Sequence, residues 1–180
     1  MYLLSTERLQ LRQLTDSDDD AHFTLALLND PDFHRYIGDR GVRTLEDARG
    51  YNQRGPIAMY RDRGYGMYRV ELQDGTPIGQ CGLLKRDGLD DVDIGFAFLP
   101  EYRGRGYALE AAQAVMNWGE SVLGLTRIVA IASPDNRASI GLLERLGLRR
   151  ERMIRLPGGT ENLILMGWDA GRNKTSSCCR

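Results

Sequence analysis

The chain has 180 residues, of which 42% are hydrophobic and 27% charged, a composition typical of one globular domain and not of a disordered or fibrous protein. Its formal net charge of -1 at pH 7 creates no overall field that would attract nucleic acid or an anionic membrane, so neither partner is expected. No apolar run is long enough to span a bilayer and no secretion signal is recognisable, so a cytoplasmic location is expected.

The first third of the chain is predicted to form a strand followed by helices. Residues 9–14 alternate apolar and polar side chains, which predicts a half-buried strand. Thr15 and Asp16 are then predicted to cap a helix that ends at the Asn-Asp-Pro sequence of residues 29–31. Glycine and proline interrupt residues 33–62, and two helices joined by mobile loops are expected there.

The middle of the chain is predicted to be an antiparallel meander. Residues 67–72 alternate again, and the Asp-Gly pair at residues 74–75 is a strong two-residue turn signal before a strand at residues 77–84. A further Asp-Gly pair leads into a buried strand at residues 94–99, which Pro100 should end because proline cannot donate a ladder hydrogen bond.

The last third is predicted to alternate helices and strands. Apolar residues at three- and four-residue spacing predict a helix over residues 107–123, and residues 127–132 form an apolar run typical of a strand buried on both faces. A strand, helix, strand unit of this kind makes the two strands parallel neighbours. A short helix over residues 138–146 follows, and then an antiparallel pair at residues 148–154 and 162–168.

The polar tail, residues 169–180, offers little to bury and is expected to be disordered, which leaves one domain over residues 1–168. No disulfide framework is predicted, because Cys178 and Cys179 are adjacent and Cys81 lies in a probable strand. No metal site is predicted either, because His22 and His34 have no cysteine or histidine partners at ligand spacing. Cys81 is expected to be a small core residue.

The loop before the long helix carries the strongest chemical signal in the sequence. Its residues are Arg103-Gly104-Arg105-Gly106-Tyr107-Ala108, here called the cradle. Two glycines leave the backbone bare, two arginines add positive charge, and the first amides of a helix have no partner within it, so an anion can approach closely. A dinucleotide fold is disfavoured because Leu109 replaces the third glycine, and no P-loop lysine is present. A tight strand-to-helix connection without a ligand remains the alternative.

The cradle resembles the Arg/Gln-x-x-Gly-x-Gly/Ala motif of the GNAT superfamily of N-acetyltransferases, and the chain is similar to the RimJ/RimL type within it. Three further segments carry the resemblance in the same order: residues 6–12 (Thr-Glu-Arg-Leu-Gln-Leu-Arg), residues 94–96 (Ile-Gly-Phe), and residues 136–140 with 146–148. The resemblance covers nearly the whole chain up to Trp168.

The resemblance implies an α/β (α+β) GNAT fold, with a mixed central sheet of about seven strands, splayed parallel strands 4 and 5, and about four flanking helices. It implies an acyl-CoA-dependent N-acetyltransferase that moves an acetyl group from acetyl-CoA directly to a primary amine, on a protein N-terminus or a small molecule, without a metal. A monomer or homodimer is expected. A non-catalytic acetyl-CoA sensor or adaptor with the same fold is the alternative, and a nucleic-acid-binding module is disfavoured by the net charge.

The resemblance also implies roles for particular residues. Those expected to bind the cofactor are Phe98, Leu99, Arg103, Gly104, Arg105, Gly106, Tyr107, Ala108, Asn136 and Ser139. Asp93 stands where the superfamily often places a carboxylate that removes the amine proton, and Ser139 is the candidate proton donor because Leu143 replaces a tyrosine found in many relatives.

Simpler roles stay open for the same residues. Asp93 could be a solvated charge at a strand end, Ser139 an ordinary first-turn serine, and Asn136 a helix cap alone. Gly95 fits either a bulge or close packing under a large neighbour. Glu110 is expected to be structural or substrate-orienting, since a carboxylate near a helix N-terminus is favoured without any catalytic role.

Overall fold

The structure is a computed structural model that describes residues 2–171. The strands are β1 (Tyr2–Ser5), β2 (Leu9–Gln13), β3 (Met67–Leu72), β4 (Pro77–Leu84), β5 (Val92–Phe98), β6 (Arg127–Ala132), β7 (Arg149–Ile154) and β8 (Leu163–Asp169). The α-helices are α1 (Asp18–Leu28), α2 (Pro31–Tyr36), α3 (Leu45–Asn52), α4 (Ala58–Arg63), α5 (Tyr107–Ser121) and α6 (Arg137–Arg145).

The strands form one mixed sheet with the order β1-β2-β3-β4-β5-β6-β8-β7. The recorded pairs are antiparallel except β5 and β6, which run parallel with Val92 opposite Ile128 and Asp93 opposite Val129. Their pairing covers two residues of each strand, as expected for strands that splay apart. The α/β architecture predicted from the sequence is therefore confirmed, and the predicted strands 4 and 5 are β5 and β6.

The structure contains one strand and several helical turns beyond those predicted. Strand β1 pairs antiparallel with β2 and is only four residues long, too short to show a clear alternation. In residues 33–62, Thr44 caps α3 through a capping box with Asp47, and a π-helical turn, Gln53–Ile57, then leads directly into α4. Continuous helical turns thus occupy residues 45–63, where helices joined by mobile loops were expected.

The described residues divide into two compact units. The first comprises Met1–Leu84 and Gly95–Val115, and its apolar core is built by α1, α2, α3 and the segments beside them. The core residues there include Leu14, Ala21, Phe23, Leu27, Leu28, Phe33, Val42 and Ala48. Ser17 caps α1 by accepting a hydrogen bond from the Asp20 backbone N–H, whereas Thr15 and Asp16 were predicted as the caps.

A buried network of charges joins α1 to the sheet and explains the shifted cap. The Asp20 carboxylate is fully buried and accepts hydrogen bonds from Arg12, Arg69 and Thr15 at 2.7–3.0 Å. Because both the backbone N–H and the hydroxyl of Thr15 serve Asp20, Thr15 lies outside the helix and the next available hydroxyl, that of Ser17, caps it.

The second unit comprises Lys85–Ile94 and Met116–Arg180, and its described part contains β6, α6, β7 and β8. Leu89, Val129 and Leu165 form an apolar cluster there with partly buried neighbours. Strand β8 lies between β6 and β7 and extends to Asp169, which pairs with Arg127. The rest of the predicted tail, residues 172–180, lies outside the described residues. Within the described part, no helix has the length and apolarity to cross a membrane.

Candidate active site

The cradle adopts the backbone conformation that its glycines make possible. Gly104 has φ 71° and Gly106 has φ 81°, values in the left-handed region that side-chain-bearing residues rarely adopt. The Gly106 carbonyl accepts the Glu110 N–H at 3.1 Å, so α5 begins directly after the second glycine. The N–H groups of the first turn of α5 therefore have no acceptor within the helix and carry the positive end of its dipole.

Arg103, the first residue of the cradle, is engaged by other parts of the first unit. Its Nε donates to the Phe98 carbonyl at 2.8 Å, Nη1 to Asp32 at 2.7 Å and Nη2 to Asp30 at 2.5 Å. Asp30 also caps α2 by accepting the N–H groups of Asp32 and Phe33. The side chain of Arg103 thus fastens the cradle to the start of α2. Its backbone N–H donates to the Pro100 carbonyl at 3.2 Å, so this amide is already engaged within the protein.

The end of β5 is held by neighbouring backbone groups. The Leu99 N–H donates to the Ile78 carbonyl at 2.9 Å, and the Leu99 carbonyl accepts the Tyr102 N–H at 3.0 Å. A carbonyl oxygen has two lone pairs, so the contacts of the Phe98 carbonyl with Arg103 and of the Leu99 carbonyl with Tyr102 do not by themselves exclude a second donor. A Cβ on Gly95 would lie 3.1 Å from Leu84 Cδ1 and 3.5 Å from Met67 Sδ, which favours packing under large neighbours over a bulge.

Glu110 has structural partners that the sequence did not reveal. Its Oε1 accepts from Thr6 Oγ1 at 2.5 Å and from the Arg8 backbone N–H at 3.0 Å, and its Oε2 accepts from Arg8 Nε at 2.6 Å. Partial burial alone would raise the pKa of Glu110, but these hydrogen bonds outweigh it and the pKa is lowered. Thr6 and Arg8 belong to the β1–β2 turn, so Glu110 joins that turn to α5.

Asp93 is a buried carboxylate, not a solvated one. Its side chain is 1% exposed and forms an ion pair with Arg86, which the sequence analysis did not single out. Burial raises the pKa of Asp93 from its usual value to about 6, although the Arg86 cation acts in the opposite direction. Within residues 2–171, Asp93 Oδ1 has no hydrogen-bond partner. A carboxyl group that titrates near neutrality suits proton transfer, and the alternative of a solvated strand-end charge is excluded.

Asn136 and Ser139 stand together at the start of α6. Asn136 Oδ1 accepts the Ser139 backbone N–H at 3.1 Å, so the predicted capping role of Asn136 is confirmed. Ser139 is partly exposed, and its hydroxyl forms no hydrogen bond within residues 2–171. Leu143, at the position where many relatives have tyrosine, is 1% exposed and belongs to the core.

Cys81 is fully buried in β4, and burial raises the pKa of its thiol. A buried protonated thiol is a poor nucleophile. The other two cysteines, Cys178 and Cys179, lie outside the described residues. Across residues 2–171, His, Cys, Asp and Glu side chains form no group of three or more that could hold a metal ion.

The predicted site residues are divided between the two units. Phe98, Leu99 and residues 103–108 lie together in the first unit, from the end of β5 to the first turn of α5. Asp93, Asn136 and Ser139 lie in the second. Sequence reasoning missed Thr6, Arg8 and Arg86, whose partners are known only from the folded structure.

Comparison with known proteins identifies the family. Residues 8–149 match the family model described as the Acetyltransferase (GNAT) domain. Two uncharacterized N-acetyltransferases of Bacillus subtilis are similar: YoaA is 34% identical over 85% of this chain and 86% of its own length, and YjdG is 43% identical over 82% and 89%. Over only 29% of this chain and 28% of its own length, the spermidine N(1)-acetyltransferase of Escherichia coli is 36% identical.

Solved structures show the same fold. An acetyltransferase of the GNAT family from Bacillus anthracis has a TM-score of 0.75 at 29% identity, over 94% of this chain and 98% of that one. RimL, a ribosomal alpha-N-protein acetyltransferase in complex with coenzyme A, has a TM-score of 0.79 at 21% identity, over the same shares of the two chains. The chain therefore belongs to the GNAT family and is, by that membership, an acyl-CoA-dependent N-acetyltransferase.

Proposed function

We propose that this protein transfers an acetyl group from acetyl-CoA directly to a primary amine. The observation that carries the proposal is the backbone of the cradle, in which two left-handed glycines lead straight into the first turn of α5. Outward-facing amides at a helix N-terminus stabilise an anion such as the pyrophosphate of the cofactor. The backbone amides of residues 105–108 would hold the phosphates, and the carbonyls of Phe98 and Leu99 would accept from the pantetheine amides.

The reaction requires a neutral amine and a protonated leaving thiolate. We assign Asp93 as the group that finally receives the amine proton, because its pKa near 6 leaves it ionised at pH 7 and still able to accept a proton. Full burial keeps an acceptor from touching it, so the proton would pass through a relay. The amine nitrogen bonds to the acetyl carbon and the carbon–sulfur bond breaks. The Ser139 hydroxyl would hydrogen-bond the departing sulfur, or protonate it and regain a proton from water while Asp93 returns the amine proton to water.

Direct transfer is favoured over a covalent acetyl-enzyme. The thiol of Cys81 is buried and protonated, so it suits packing and not nucleophilic attack. Acceptors of both expected classes occur among the relatives, since RimL is named for a ribosomal protein N-terminus and another relative for spermidine. We propose that the acceptor is either a protein N-terminus or a small amine and that it enters beside residues 33–65.

Acetyl-CoA binding is tested by thermal denaturation of the Gly106→Ala variant with and without the cofactor. Alanine at φ 81° is strained, and its Cβ would lie 3.3 Å from Arg8 Nη2, so the amides of the cradle should shift. We expect the cofactor to raise the melting temperature of the unsubstituted protein and to leave that of Gly106→Ala unchanged.

Gly124→Ala is the matched control, because Gly124 has φ 68° and a Cβ there would meet nothing within 4 Å. It should lower the melting temperature through the same kind of strain and keep the full response to acetyl-CoA. A protein that millimolar acetyl-CoA does not stabilise would contradict the proposal. The acceptor is then identified by mass spectrometry of products from peptide and small-amine libraries incubated with acetyl-CoA.

A further inference from the structure

The β1–β2 turn contains a segment of the family resemblance that the proposed chemistry does not use. Thr6 and Arg8 lie in this turn, about 100 residues before the cradle in sequence, yet both contact it or the helix that follows it. Their contacts lie entirely within the first unit. The two residues therefore connect the β1–β2 turn to the cradle and to α5.

The guanidinium of Arg8 lies against three successive residues of the cradle. Nη1 donates to the Arg105 carbonyl at 3.0 Å. Nη2 lies 3.3 Å from the point where a Cβ on Gly106 would stand, and the guanidinium carbon lies 4.6 Å from the centre of the Tyr107 ring. Hydrogen bonding, close approach and a cation–π contact thus fix the same short stretch of backbone.

Glu110 fixes the guanidinium in turn. It accepts from Arg8 Nε, forms an ion pair with Arg8 Nη2 at 2.6 Å, and also accepts the Arg8 backbone N–H and the Thr6 hydroxyl. Thr6 Oγ1 in addition accepts the Leu9 N–H at 3.1 Å, which ties the hydroxyl to the start of β2. Thr6 and Arg8 are thus both bonded to Glu110, and the three side chains are here called the clamp.

The geometry of the peptide unit shows on which side of the cradle the clamp acts. No cis peptide bond occurs in the described residues. The Arg105 carbonyl and the Gly106 N–H therefore lie in one peptide plane and point in opposite directions. An arginine that holds the carbonyl therefore directs the N–H away from itself. A charged donor on a carbonyl also polarises the peptide and strengthens its N–H as a donor.

We propose that the clamp positions the cradle for the cofactor, with Arg8 holding the Arg105 carbonyl so that the Gly106 amide faces the pyrophosphate. The inference rests on the proposed binding of acetyl-CoA and extends it to residues that lie behind the binding surface. Arg8 is in this view a positioning residue, and Glu110 and Thr6 fix its orientation.

Direct binding of a phosphate by Arg8 is the competing explanation, and Glu110 separates the two. If Arg8 were a phosphate ligand, Glu110→Gln would remove a negative charge near the anion, release the arginine, and strengthen binding or leave it unchanged. If Arg8 is a positioning residue, the same substitution loosens it and weakens binding. Weaker binding by Glu110→Gln therefore supports the positioning role, and unchanged or tighter binding supports direct contact with a phosphate.

The test is calorimetric titration of acetyl-CoA into the unsubstituted protein and the Arg8→Gln, Arg8→Lys and Glu110→Gln variants. We expect the dissociation constant to rise about tenfold in Arg8→Gln and in Glu110→Gln, the effect of losing a hydrogen bond to a charged group. Arg8→Lys keeps the charge but cannot contact both partners, so it should recover only part of the loss. The KM for the amine acceptor should stay unchanged.

Arg61→Gln and Asp62→Asn are matched controls, because they make the same charge changes in an exposed ion pair of the first unit. Both should bind acetyl-CoA like the unsubstituted protein. Hydrogen exchange without ligand supplies a second readout, in which the amides of residues 103–108 should exchange faster in Arg8→Gln than in Arg61→Gln.

The outcomes distinguish the inference from the function on which it rests. Failure of the unsubstituted protein to bind acetyl-CoA overturns the proposed function and the clamp with it. Normal binding with a Glu110→Gln variant that binds equally or more tightly overturns the clamp alone. Unchanged exchange of the cradle amides in Arg8→Gln also overturns the clamp, whether or not the cofactor binds.

Discussion

At the scale of single residues, two opposing effects determine the pKa of Asp93, which is buried and paired with Arg86. Burial makes the ionised carboxylate unfavourable, and the adjacent guanidinium makes it favourable. Burial is the larger effect, so the pKa of Asp93 rises only to about 6. The pair therefore gives a carboxylate that is ionised at pH 7 and becomes protonated in mildly acidic solution.

Replacing Asp93 by asparagine should lower kcat about hundredfold, the lower end of the usual contribution of a general base. The unsubstituted enzyme should gain activity as the pH rises through about 6, because Asp93 must lose its proton before it can accept one. This inflection should be absent in Asp93→Asn. The measurement is the pH dependence of kcat/KM from pH 5 to pH 9.

Two variants serve as controls for Asp93. Asp90→Asn changes an exposed carboxylate three residues before Asp93 and should leave the pH profile unaltered. Arg86→Gln removes the cation that lowers the pKa of Asp93, so its inflection should move to higher pH. An inflection near pH 6 that persists in Asp93→Asn would show that another group accepts the proton.

Ser139→Ala should separate binding from turnover. The backbone N–H of residue 139 still reaches the Asn136 cap, so α6 should form normally and acetyl-CoA should bind with unchanged affinity. Loss of the hydroxyl should slow kcat by about tenfold or more if it assists the departing sulfur. Steady-state kinetics beside a binding titration give both quantities, and an unchanged kcat would assign Ser139 to the helix alone.

At the scale of elements, Arg103 joins the cradle to helix α2. Its guanidinium contacts the carbonyl at the end of β5 and two carboxylates at the start of α2, one of which also caps that helix. Because α2 opens the segment proposed to admit the acceptor, one side chain connects the parts that we assign to the donor and to the acceptor.

Arg103→Gln should therefore affect the acceptor more than the cofactor. The amides of the cradle remain held by Arg8, so we expect the dissociation constant of acetyl-CoA to change little. The KM for the amine should rise about tenfold, as α2 loses the contacts that fix its start. Arg150→Gln is the control, since it removes an exposed arginine from an ion pair outside residues 33–65. A rise in the cofactor dissociation constant alone would contradict this division.

At the scale of the whole molecule, the buried charges around Asp20 contribute to stability. Arg12 and Arg69 reach the carboxylate from two adjacent strands, and the Arg69 side chain is only 4% exposed. Burial alone would raise the pKa of Asp20, but the hydrogen bonds from Arg12 and Thr15 outweigh it and lower the pKa. The ionised carboxylate therefore stabilises the folded state above its unfolded pKa.

Asp20→Asn should reduce the free energy of unfolding by about 1.5–3 kcal/mol at pH 7, because it removes hydrogen bonds between charged groups while Asp19 and Glu71 still pair with both arginines. A lowered pKa means that this contribution is complete above 3.8, the ordinary value, and is lost as the pH falls below it. Urea unfolding should show the difference between the two proteins narrowing below that pH. Asp62→Asn, in an exposed pair, should leave the free energy of unfolding nearly unchanged.

Local patterns allowed most of the fold to be predicted. Alternation, turn dipeptides and helical spacing are properties of adjacent residues, so the strands from β2 to β8 and the cradle were visible in the sequence. The helix cap was misplaced because Thr15, Asp16 and Ser17 are all capable of capping, and the sequence does not show that the buried Asp20 carboxylate accepts both the N–H and the hydroxyl of Thr15.

Pairings across the chain could not be predicted in the same way. Asp93 was found, but its burial and its bond to Arg86 depend on how β5 packs. Arg8 and Glu110 are 102 residues apart, and no local sequence pattern indicates that they form a pair. The chemistry of the cradle was therefore accessible from sequence, whereas the supports of the cradle required the folded structure.

The separation between the β1–β2 turn and α5 also has a consequence for the newly made chain. Thr6 and Arg8 leave the ribosome long before Glu110 is synthesised, and at roughly 5–20 residues per second the 102 residues between Arg8 and Glu110 take about 5–20 s. During that interval Thr6 and Arg8 lack the Glu110 carboxylate to which they are bonded in the folded protein. The clamp therefore forms only after most of the first unit has been translated, and a nascent chain becomes able to bind its cofactor late in synthesis.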